Sequence, residues 1–296
     1  MDRTVHLDYD HRPSALRYLL LGMLPVRRPM SLVPAITARW RDHRVVPEEL
    51  EAFLRITGLR GDASLPLLYP HTFSFRLVMA MLTHPSFPVP IWGVLQTRNH
   101  IVQHRPIALD VPMDIETRVL DGRRVSKGAE FDIGTSVHVA GELAWQSTLT
   151  FFTRGRFGEP GPESPLARAP IVDGPCIAEW TLDDADHLRF CSFTGDYNGI
   201  HLADRYARRF GFRKAFYHPS RVLGECLAHL PTVDDREPLQ FDAWLKGPVH
   251  HGAHVRLQAQ GADGATSFAL FADDDRPCIV GRLATVRPVS SLRGPP

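Results

Sequence analysis

The segment over residues 73–82 constrains the fold more than any other part of the chain. It reads Phe-Ser-Phe-Arg-Leu-Val-Met-Ala-Met-Leu, so at helical spacing its apolar side chains occupy nearly every side. Such a helix is stable in water only when other structure covers most of its surface. The sequence therefore predicts a central helix over 73–82 that is wrapped by the rest of its domain.

Predicted strands follow this helix. Apolar and β-branched runs indicate four of them, and turn signals at Asp121-Gly122 and Ala140-Gly141 separate the later ones. The four strands lie at residues 92–102, 109–120, 129–139 and 142–153. Before the central helix, the sequence predicts a short helix within 11–24 and a longer one that begins at Pro47 and stops at Gly58.

Residues 154–175 are rich in proline and glycine, a composition typical of a linker between domains. The chain after this linker repeats the order of elements found before it. The predicted elements are a helix that starts at the capping-box-like Thr181-Leu182-Asp183-Asp184 and ends near Gly195, a short helix over 204–210, a central helix behind Pro219, and strands at 239–245, 254–260, 267–273 and 278–287. This order predicts an internal duplication. The predicted domains are 1–155 and 176–296, joined by the linker 156–175.

Composition limits the kind of protein. With 296 residues, 44% hydrophobic and 23% charged, the chain fits two globular domains. A formal charge of +1 provides no basic surface for nucleic acid or for an anionic membrane. The start of the chain does not resemble a signal peptide, and its longest apolar run is too short to span a bilayer. The four cysteines form no Cys-x-x-Cys pair, which favours reduced thiols in the cytoplasm.

Residues 190–201 carry the chemistry that the sequence suggests. They read Phe-Cys-Ser-Phe-Thr-Gly-Asp-Tyr-Asn-Gly-Ile-His and place the carboxylate of Asp196 five residues before the imidazole of His201. The intervening glycine and asparagine indicate an irregular loop, in which both side chains can turn toward one point. Such a pair can act as general acid and base. From composition alone, a structural turn with a capping histidine is the simpler interpretation.

The ten residues 192–201 also resemble the hydratase motif of the MaoC-like acyl dehydratases, a family that includes the (R)-specific enoyl-CoA hydratases. The family's usual run is Ser/Thr-Gly-Asp-x-Asn-Pro-Ile-His, followed by a short helix, a Gly-Phe pair, and Ala-His-Gly at the start of the central helix. This chain departs from the pattern at Gly199, which replaces proline, and at Tyr217-His218-Pro219, which replaces Ala-His-Gly. Over the whole chain, the resemblance implies an α+β fold of two tandem hot-dog domains, each a curved antiparallel sheet around a central helix.

The resemblance implies reversible syn addition of water to a trans-2-enoyl thioester, giving the (R)-3-hydroxyacyl thioester. Asp196 and His201 would share the proton transfers. The expected substrate-binding residues are Asn198, Gly195, Tyr217, His218 and Ser220. Pro219 stands where the family's glycine offers an N–H to the thioester oxygen, so Ser220 is the expected substitute donor. The domain 1–155 lacks the motif and is expected to be non-catalytic and to shape the acyl pocket.

The implied substrate is an acyl thioester of coenzyme A or of an acyl carrier protein, in fatty acid or polyketide metabolism, with no metal and no redox cofactor. A homodimer is a possible assembly. The histidines at 250, 251 and 254 lack an acidic or cysteine partner, so a metal site there is not expected. Glu225 falls beside the apolar stripe of its helix, which favours an exposed or paired side chain over the catalytic carboxylate of some hot-dog thioesterases.

Two alternatives remain open from the sequence. The first is a related enzyme altered for another conjugate addition or elimination on a carrier-bound chain, because Tyr217 and Pro219 depart from the family pattern. The second is a non-catalytic double hot-dog protein that binds acyl groups or pairs with a catalytic partner.

Overall fold

The computed structural model describes residues 4–22, 32–61, 63–161, 163–183, 185–231, 237–262 and 264–286. Within them the chain forms six α-helices and eleven strands. The helices are α1 (Ala15–Gly22), α2 (Pro47–Thr57), α3 (Tyr69–Leu82), α4 (His187–Thr194), α5 (Asp204–Arg209) and α6 (Pro219–His229). The strands are β1 (Val5–Tyr9), β2 (Ile36–His43), β3 (Val94–Gln103), β4 (Met113–Val125), β5 (Gly128–Val139), β6 (Glu142–Arg154), β7 (Cys176–Thr181), β8 (Leu239–Leu245), β9 (His254–Ala262), β10 (Ala265–Phe271) and β11 (Pro277–Thr285).

All eleven strands join one sheet, which consists of two halves with the same internal order. The order across the sheet is β1-β2-β4-β5-β6-β3-β8-β11-β10-β9-β7. Apart from β1 and α1, each half runs in the order strand, helices that end with the central helix, and four further strands. The strand directly after the central helix, β3 in one half and β8 in the other, lies at the seam. There β3 and β8 pair antiparallel, from Arg98 opposite Trp244 to Gln103 opposite Leu239. The topology confirms the predicted duplication, and β1 adds one strand parallel to β2.

The wrapped helix is confirmed as α3, which starts at Tyr69, four residues before the predicted segment. Every one of its 14 residues is buried. The sheet of the N-terminal half curls around this helix because an apolar surface on all sides must be covered. Helix α6 plays the same part in the C-terminal half, with Pro219 at its first position as predicted.

The two halves share one hydrophobic core. Helix α6 approaches the end of α2 so closely that a Cβ at Gly224 would lie 2.6 Å from Cγ2 of Thr57. Next to this contact, the ring of Phe190 on α4 lies 6.3 Å from the ring of Phe53 on α2. The helices of one half are therefore packed against those of the other, in addition to the strand pairing at the seam.

The segment 156–175 follows β6 and precedes β7. It includes a 3₁₀ turn at Pro165–Arg168, and the indole Nε1 of Trp244 donates a hydrogen bond of 3.1 Å to the Pro165 carbonyl. Three apolar residues of the segment pack on a second, smaller apolar cluster of the sheet: Leu166, Ala169 and Val172 against Trp244, Ala269 and Val280. The segment thus covers part of the outer sheet face of the C-terminal half.

The predicted turn at Asp121-Gly122 is wrong. Strand β4 continues to Val125, and the register of its pairing with β5 shifts between Val119 and Asp121. The Asp-Gly pair therefore marks a bulge inside a long strand, where one extra residue is accommodated without ending the pairing. The second predicted turn, Ala140-Gly141, is confirmed, since both residues have positive φ between β5 and β6.

The predicted helix start at Thr181 is also wrong. Thr181 is the last residue of β7 and pairs with His254 of β9, which holds it in the extended conformation. Helix α4 begins only at His187, after Asp186 with φ 63°. Asp184, the acidic member of the predicted cap, lies outside the described residues. No helix of the described ranges has both the length and the apolar character needed to cross a bilayer.

Two buried histidines make stability depend on pH. Burial lowers the pKa of His71 to about 4, and burial together with the charges of Arg12 and Arg76 lowers that of His43 to about 4. An unfolded chain binds a proton at each imidazole below pH 6.5, whereas the folded protein does so only near pH 4. The folded state therefore loses stability as the pH falls from about 6.5 to 4 and gains nothing further above 6.5.

His43→Phe should flatten this pH dependence. The His43 ring packs between Trp40 and Phe73, and no described residue provides a hydrogen-bond partner for its Nε2, so a phenyl ring fits the site. We expect the variant to be at least as stable as the parent at pH 7 and roughly 3 kcal/mol more stable relative to it near pH 4. Urea unfolding across pH 4–8 measures this, with exposed His254→Phe as control. If the free energy of unfolding changed with pH equally in the parent and in His43→Phe, the role of His43 would be contradicted.

Candidate active site

Helix α4 ends where the acid residue begins its turn. Gly195 has φ 72° and donates its N–H to the carbonyl of Cys191, which closes the helix. The hydroxyl of Thr194 accepts the N–H of Asp196 at 3.2 Å, and Oδ1 of Asp196 accepts the N–H of Asn198 at 3.0 Å. These local bonds fix the carboxylate of Asp196 by one oxygen and leave Oδ2 directed to the histidines.

His201 lies in the 3₁₀ turn Gly199–His201 and is 5% exposed. Its Nδ1 lies 2.9 Å from the Phe216 carbonyl, and because a carbonyl only accepts, Nδ1 donates. In the neutral ring Nε2 then carries a lone pair, and it lies 3.7 Å from Oδ2 of Asp196. That separation is too long for a good direct hydrogen bond but lets both groups contact one substrate oxygen or water.

His218 supports the pair from the other side. Its ring stacks on His201 with centroids 4.0 Å apart, and its Nε2 donates to the backbone carbonyl of Asp196 at 3.0 Å. Burial, and after it the neighbouring His201, lowers the pKa of His218 well below 6.5. His218 is therefore a neutral donor that holds the Asp196 turn in place.

Cys191 lies against the same histidine, with Sγ 3.9 Å from Nε2 of His218. A thiol beside an imidazole suggests nucleophilic catalysis only when the thiolate forms. Here burial, assisted by the negative charge of Asp196, raises the pKa of Cys191 to about 12. The thiol stays protonated, so acid–base chemistry is what this site supports.

Asp196, His201 and His218 are the three groups among the described residues whose ligand atoms lie close enough to hold a metal ion, within 4.8 Å of one another. Two features oppose that role. Nε2 of His218 donates a hydrogen bond to the Asp196 carbonyl, so this nitrogen carries a hydrogen and has no lone pair for a metal ion. The two imidazoles are also stacked at 28°, and stacked rings do not direct both in-plane lone pairs at one ion.

Two cavities adjoin each other, and the smaller one contains the acid–base pair. The smaller, of about 80 Å³, is lined by Asp196, Asn198 and His201. Much of its apolar wall comes from the N-terminal half: Phe75, Met79, Leu82, Ile91, Val94 and Phe151. The larger cavity, of about 240 Å³, lies between β3, β8 and the start of α6 and shares four residues with the smaller one: Leu95, Gln96, Phe216 and Pro219.

The remaining predicted site residues differ in their placement. Tyr217 is 2% exposed, and although it lines the larger cavity, its hydroxyl donates to the Leu182 carbonyl and accepts the Gly252 N–H. Ser220 is 6% exposed and does not line either cavity. Gly195 closes α4 behind Asp196 rather than facing a cavity.

Arg76 holds helix α4 in place, a role that its position in the sequence did not suggest. This buried side chain of α3 reaches across to the last turn of α4, where its guanidinium donates to the carbonyls of Ser192 and Phe193 at 2.5 and 3.2 Å. A third bond, of 2.9 Å, goes to the Pro13 carbonyl. The N-terminal half thus anchors the helix that carries Asp196. Arg76 is the single charged residue in a buried, largely apolar helix, and a buried charge indicates a specific hydrogen-bond partner.

Glu225 and the histidines at 250, 251 and 254, which the sequence also brought forward, line neither cavity. Glu225 is paired, as expected: it accepts Nε1–H of Trp180 at 2.7 Å and bonds Arg221 one turn earlier on α6. His250 donates to the Ala215 carbonyl, His251 donates to the backbone carbonyl of His201 at 3.0 Å and so adjoins the acid–base pair, and His254 is exposed. None of these histidines belongs to a metal-like cluster of the described residues.

Comparison with known proteins identifies the family. The chain is 31% identical, over 265 residues, to 3-hydroxyacyl-thioester dehydratase X of Mycobacterium tuberculosis, covering 88% of this chain and 93% of that protein. The chain belongs to the MaoC-like hot-dog dehydratases. No family model matched the sequence.

Solved structures agree with this assignment to the MaoC-like dehydratases. The crystal structure of HtdX from Mycobacterium tuberculosis superimposes with a TM-score of 0.73 at 25% identity, covering 84% of this chain and all of that one. A MaoC-like dehydratase from Phytophthora capsici has the same fold, with a TM-score of 0.66 at 17% identity over 85% of this chain and 95% of that one. The predicted fold of two tandem hot-dog domains is confirmed.

Proposed function

We propose that this member of the MaoC-like dehydratases catalyses the reversible hydration of trans-2-enoyl thioesters to (R)-3-hydroxyacyl thioesters. The observation that carries the proposal is the convergence of Oδ2 of Asp196 and Nε2 of His201, 3.7 Å apart, on a cavity walled by both halves. The 31% identity to a 3-hydroxyacyl-thioester dehydratase supports the same reaction class.

The reaction requires two proton transfers at neighbouring carbons. In hydration, the water oxygen forms a bond to C3 while one member of the pair takes a proton from that water, and the other delivers a proton to C2. In dehydration the same two groups exchange roles. Because both groups line the same small cavity, water and proton reach the double bond from one face, which is syn addition.

The N-terminal half would bind the acyl chain. Its helix α3 presents Phe75, Met79 and Leu82 to the cavity that contains the acid–base pair, and the motif residues come only from the other half. Burying each methylene of a substrate against such a wall contributes about 0.8 kcal/mol. We therefore assign acyl binding to the domain 1–155 and the chemistry to the domain 176–296, with the segment 156–175 between them.

The carrier would be coenzyme A or an acyl carrier protein, and the proton chemistry needs no metal or redox cofactor. The near-balanced charge of the chain, 34 basic against 33 acidic residues, favours a small thioester over nucleic acid or a membrane as the ligand. We expect the protein to act in the cytoplasm, and a homodimer is a possible assembly.

A spectrophotometric assay tests the proposal. The conjugated enoyl thioester absorbs more strongly in the ultraviolet than its hydrated product, so hydration of crotonyl-CoA is followed as a loss of absorbance. A panel of enoyl thioesters of increasing chain length, on coenzyme A and on acyl carrier protein, then identifies chain length and carrier. No loss of absorbance with any member of the panel would contradict the hydratase assignment and favour a non-catalytic acyl-binding protein.

A further inference from the structure

Gln96 lies where the two halves of the sheet separate. Strand β3 pairs with β8 only from Arg98 to Gln103, and its earlier residues pair with β6 alone. The register of the β3–β6 pairing shifts between Gln96 and Arg98, which marks a bulge at this point. The larger cavity opens in the gap, between the first residues of β3 and the end of β8 at Leu245.

The carboxamide of Gln96 has no hydrogen-bond partner among the described residues, and Gln96 itself is half-buried. Of the four residues that line both cavities, it alone has a polar side chain, the others being Leu95, Phe216 and Pro219. The neighbouring Thr97 already donates its hydroxyl to the Thr150 carbonyl.

The reaction requires a hydrogen-bond donor near the junction of the two cavities, which is the place where the four shared residues lie. When the proton at C2 moves, negative charge develops on the thioester oxygen, and preorganised N–H donors stabilise that charge. Pro219, the first residue of α6, also lines both cavities, and a proline has no backbone N–H to donate. Ser220, the next residue along, is buried and lines neither cavity.

We propose that the carboxamide of Gln96 donates a hydrogen bond to the thioester oxygen as charge develops on it, in place of the N–H that Pro219 lacks. The inference rests on the proposed hydratase function and extends it to a residue outside the Asp–His motif. The N-terminal half then contributes a catalytic group as well as an acyl-binding wall.

The test is kinetic and uses the full-length chain with crotonyl-CoA. Gln96→Met keeps the length of the side chain and removes both N–H donors, so kcat should fall about 100-fold with little change in KM. Adding Pro219→Gly to that variant should recover at least about tenfold in kcat, because it restores an amide donor at the same junction. Gln146→Met, the same substitution at a half-buried position of β6 that lines neither cavity, is the matched control and should remain within about threefold of the parent.

A second readout does not require turnover. Acetoacetyl-CoA is an acid whose enolate absorbs in the ultraviolet, and a donor at the thioester oxygen favours the enolate when the compound is bound. The parent protein should increase the enolate fraction, and Gln96→Met should lose most of that increase. This titration separates the two claims, because a protein that stabilises the enolate through Gln96 without hydrating crotonyl-CoA would overturn the hydratase assignment alone.

Three results would overturn the role of Gln96. The first is full kcat in Gln96→Met. The second is a loss that appears only in KM or is not recovered by Pro219→Gly, because that indicates packing rather than donation. The third is unchanged enolate absorbance in Gln96→Met together with its loss in Ser220→Pro, which would move the donor to the amide of Ser220.

Discussion

Asp196→Asn should lower turnover by about 100-fold or more on any enoyl thioester that the parent protein hydrates. An asparagine keeps the Oδ1 acceptor for the Asn198 N–H, so the turn after α4 is retained. It cannot exchange a proton at the atom that faces His201, because its amide neither gains nor loses a proton at neutral pH. The loss should therefore appear in kcat, with the melting temperature close to that of the parent.

His201→Ala should produce a loss of similar size, since it removes the Nε2 that lies 3.7 Å from Oδ2 of Asp196. Suitable controls are Asp273→Asn and His254→Ala, which alter exposed side chains that line neither cavity. Steady-state kinetics and thermal melting of all four proteins give the answer. Near-normal turnover in either Asp196→Asn or His201→Ala, with the protein folded, would remove that residue from the proton-transfer role.

The C-terminal half expressed alone, as residues 176–296, should be insoluble or inactive although it holds the whole motif. Strand β8 would lose its partner β3 and become an exposed edge over residues that include the buried Phe241 and Ala243. The apolar faces of α4 and α6 would lose the packing that α2 and α3 provide.

The fragment would also lose the contacts that shape the site. Arg76 no longer anchors the Ser192 and Phe193 carbonyls, and the wall of the smaller cavity is missing. Adding the separate fragment of residues 1–175 during refolding should recover activity if the two halves reassemble at the seam. Solubility, sedimentation and crotonyl-CoA hydration measure these outcomes. A soluble fragment with the activity of the full chain would show that the N-terminal half is dispensable.

Local signals were sufficient for much of the fold and of the motif. The all-apolar run predicts α3, Pro47 and Gly58 delimit α2, and Gly195 closes α4 at the residue before the acid. Each of these depends on a few adjacent residues, through packing, fixed φ or a left-handed cap. That is why the sequence alone could indicate them.

Strands β1, β2 and β7 were not predicted, and the reasons differ between β2 and β7. Strand β2 alternates buried Ile36, Ala38 and Trp40 with less buried neighbours, which is a strand pattern. It was overlooked because it follows directly after several prolines, which indicate an irregular segment. Strand β7 is a six-residue edge strand whose face toward the core consists of Ala178 and Trp180 alone, so its apolar alternation is too short to stand out. The missed strands also explain why Thr181 was taken for a helix cap.

The positions of Arg76 and Gln96 could not be read from local patterns. Arg76 binds a helix more than a hundred residues away in sequence, and Gln96 lines a cavity that opens where β3 and β8 separate. Both depend on how the two halves meet. Sequence spacing identifies the acid–base pair, whereas the groups that surround it come from tertiary structure.

Hydration of crotonyl-CoA in D₂O, with analysis of the product's configuration, tests the central claim most directly. If Asp196 and His201 deliver water and proton from one face, the product is the (R)-3-hydroxybutyryl thioester with a single deuterium at C2, on the same face as the new hydroxyl. Chiral chromatography and proton NMR of the isolated product read both centres. A product of (S) configuration, or deuterium on the opposite face, would contradict syn addition by this pair.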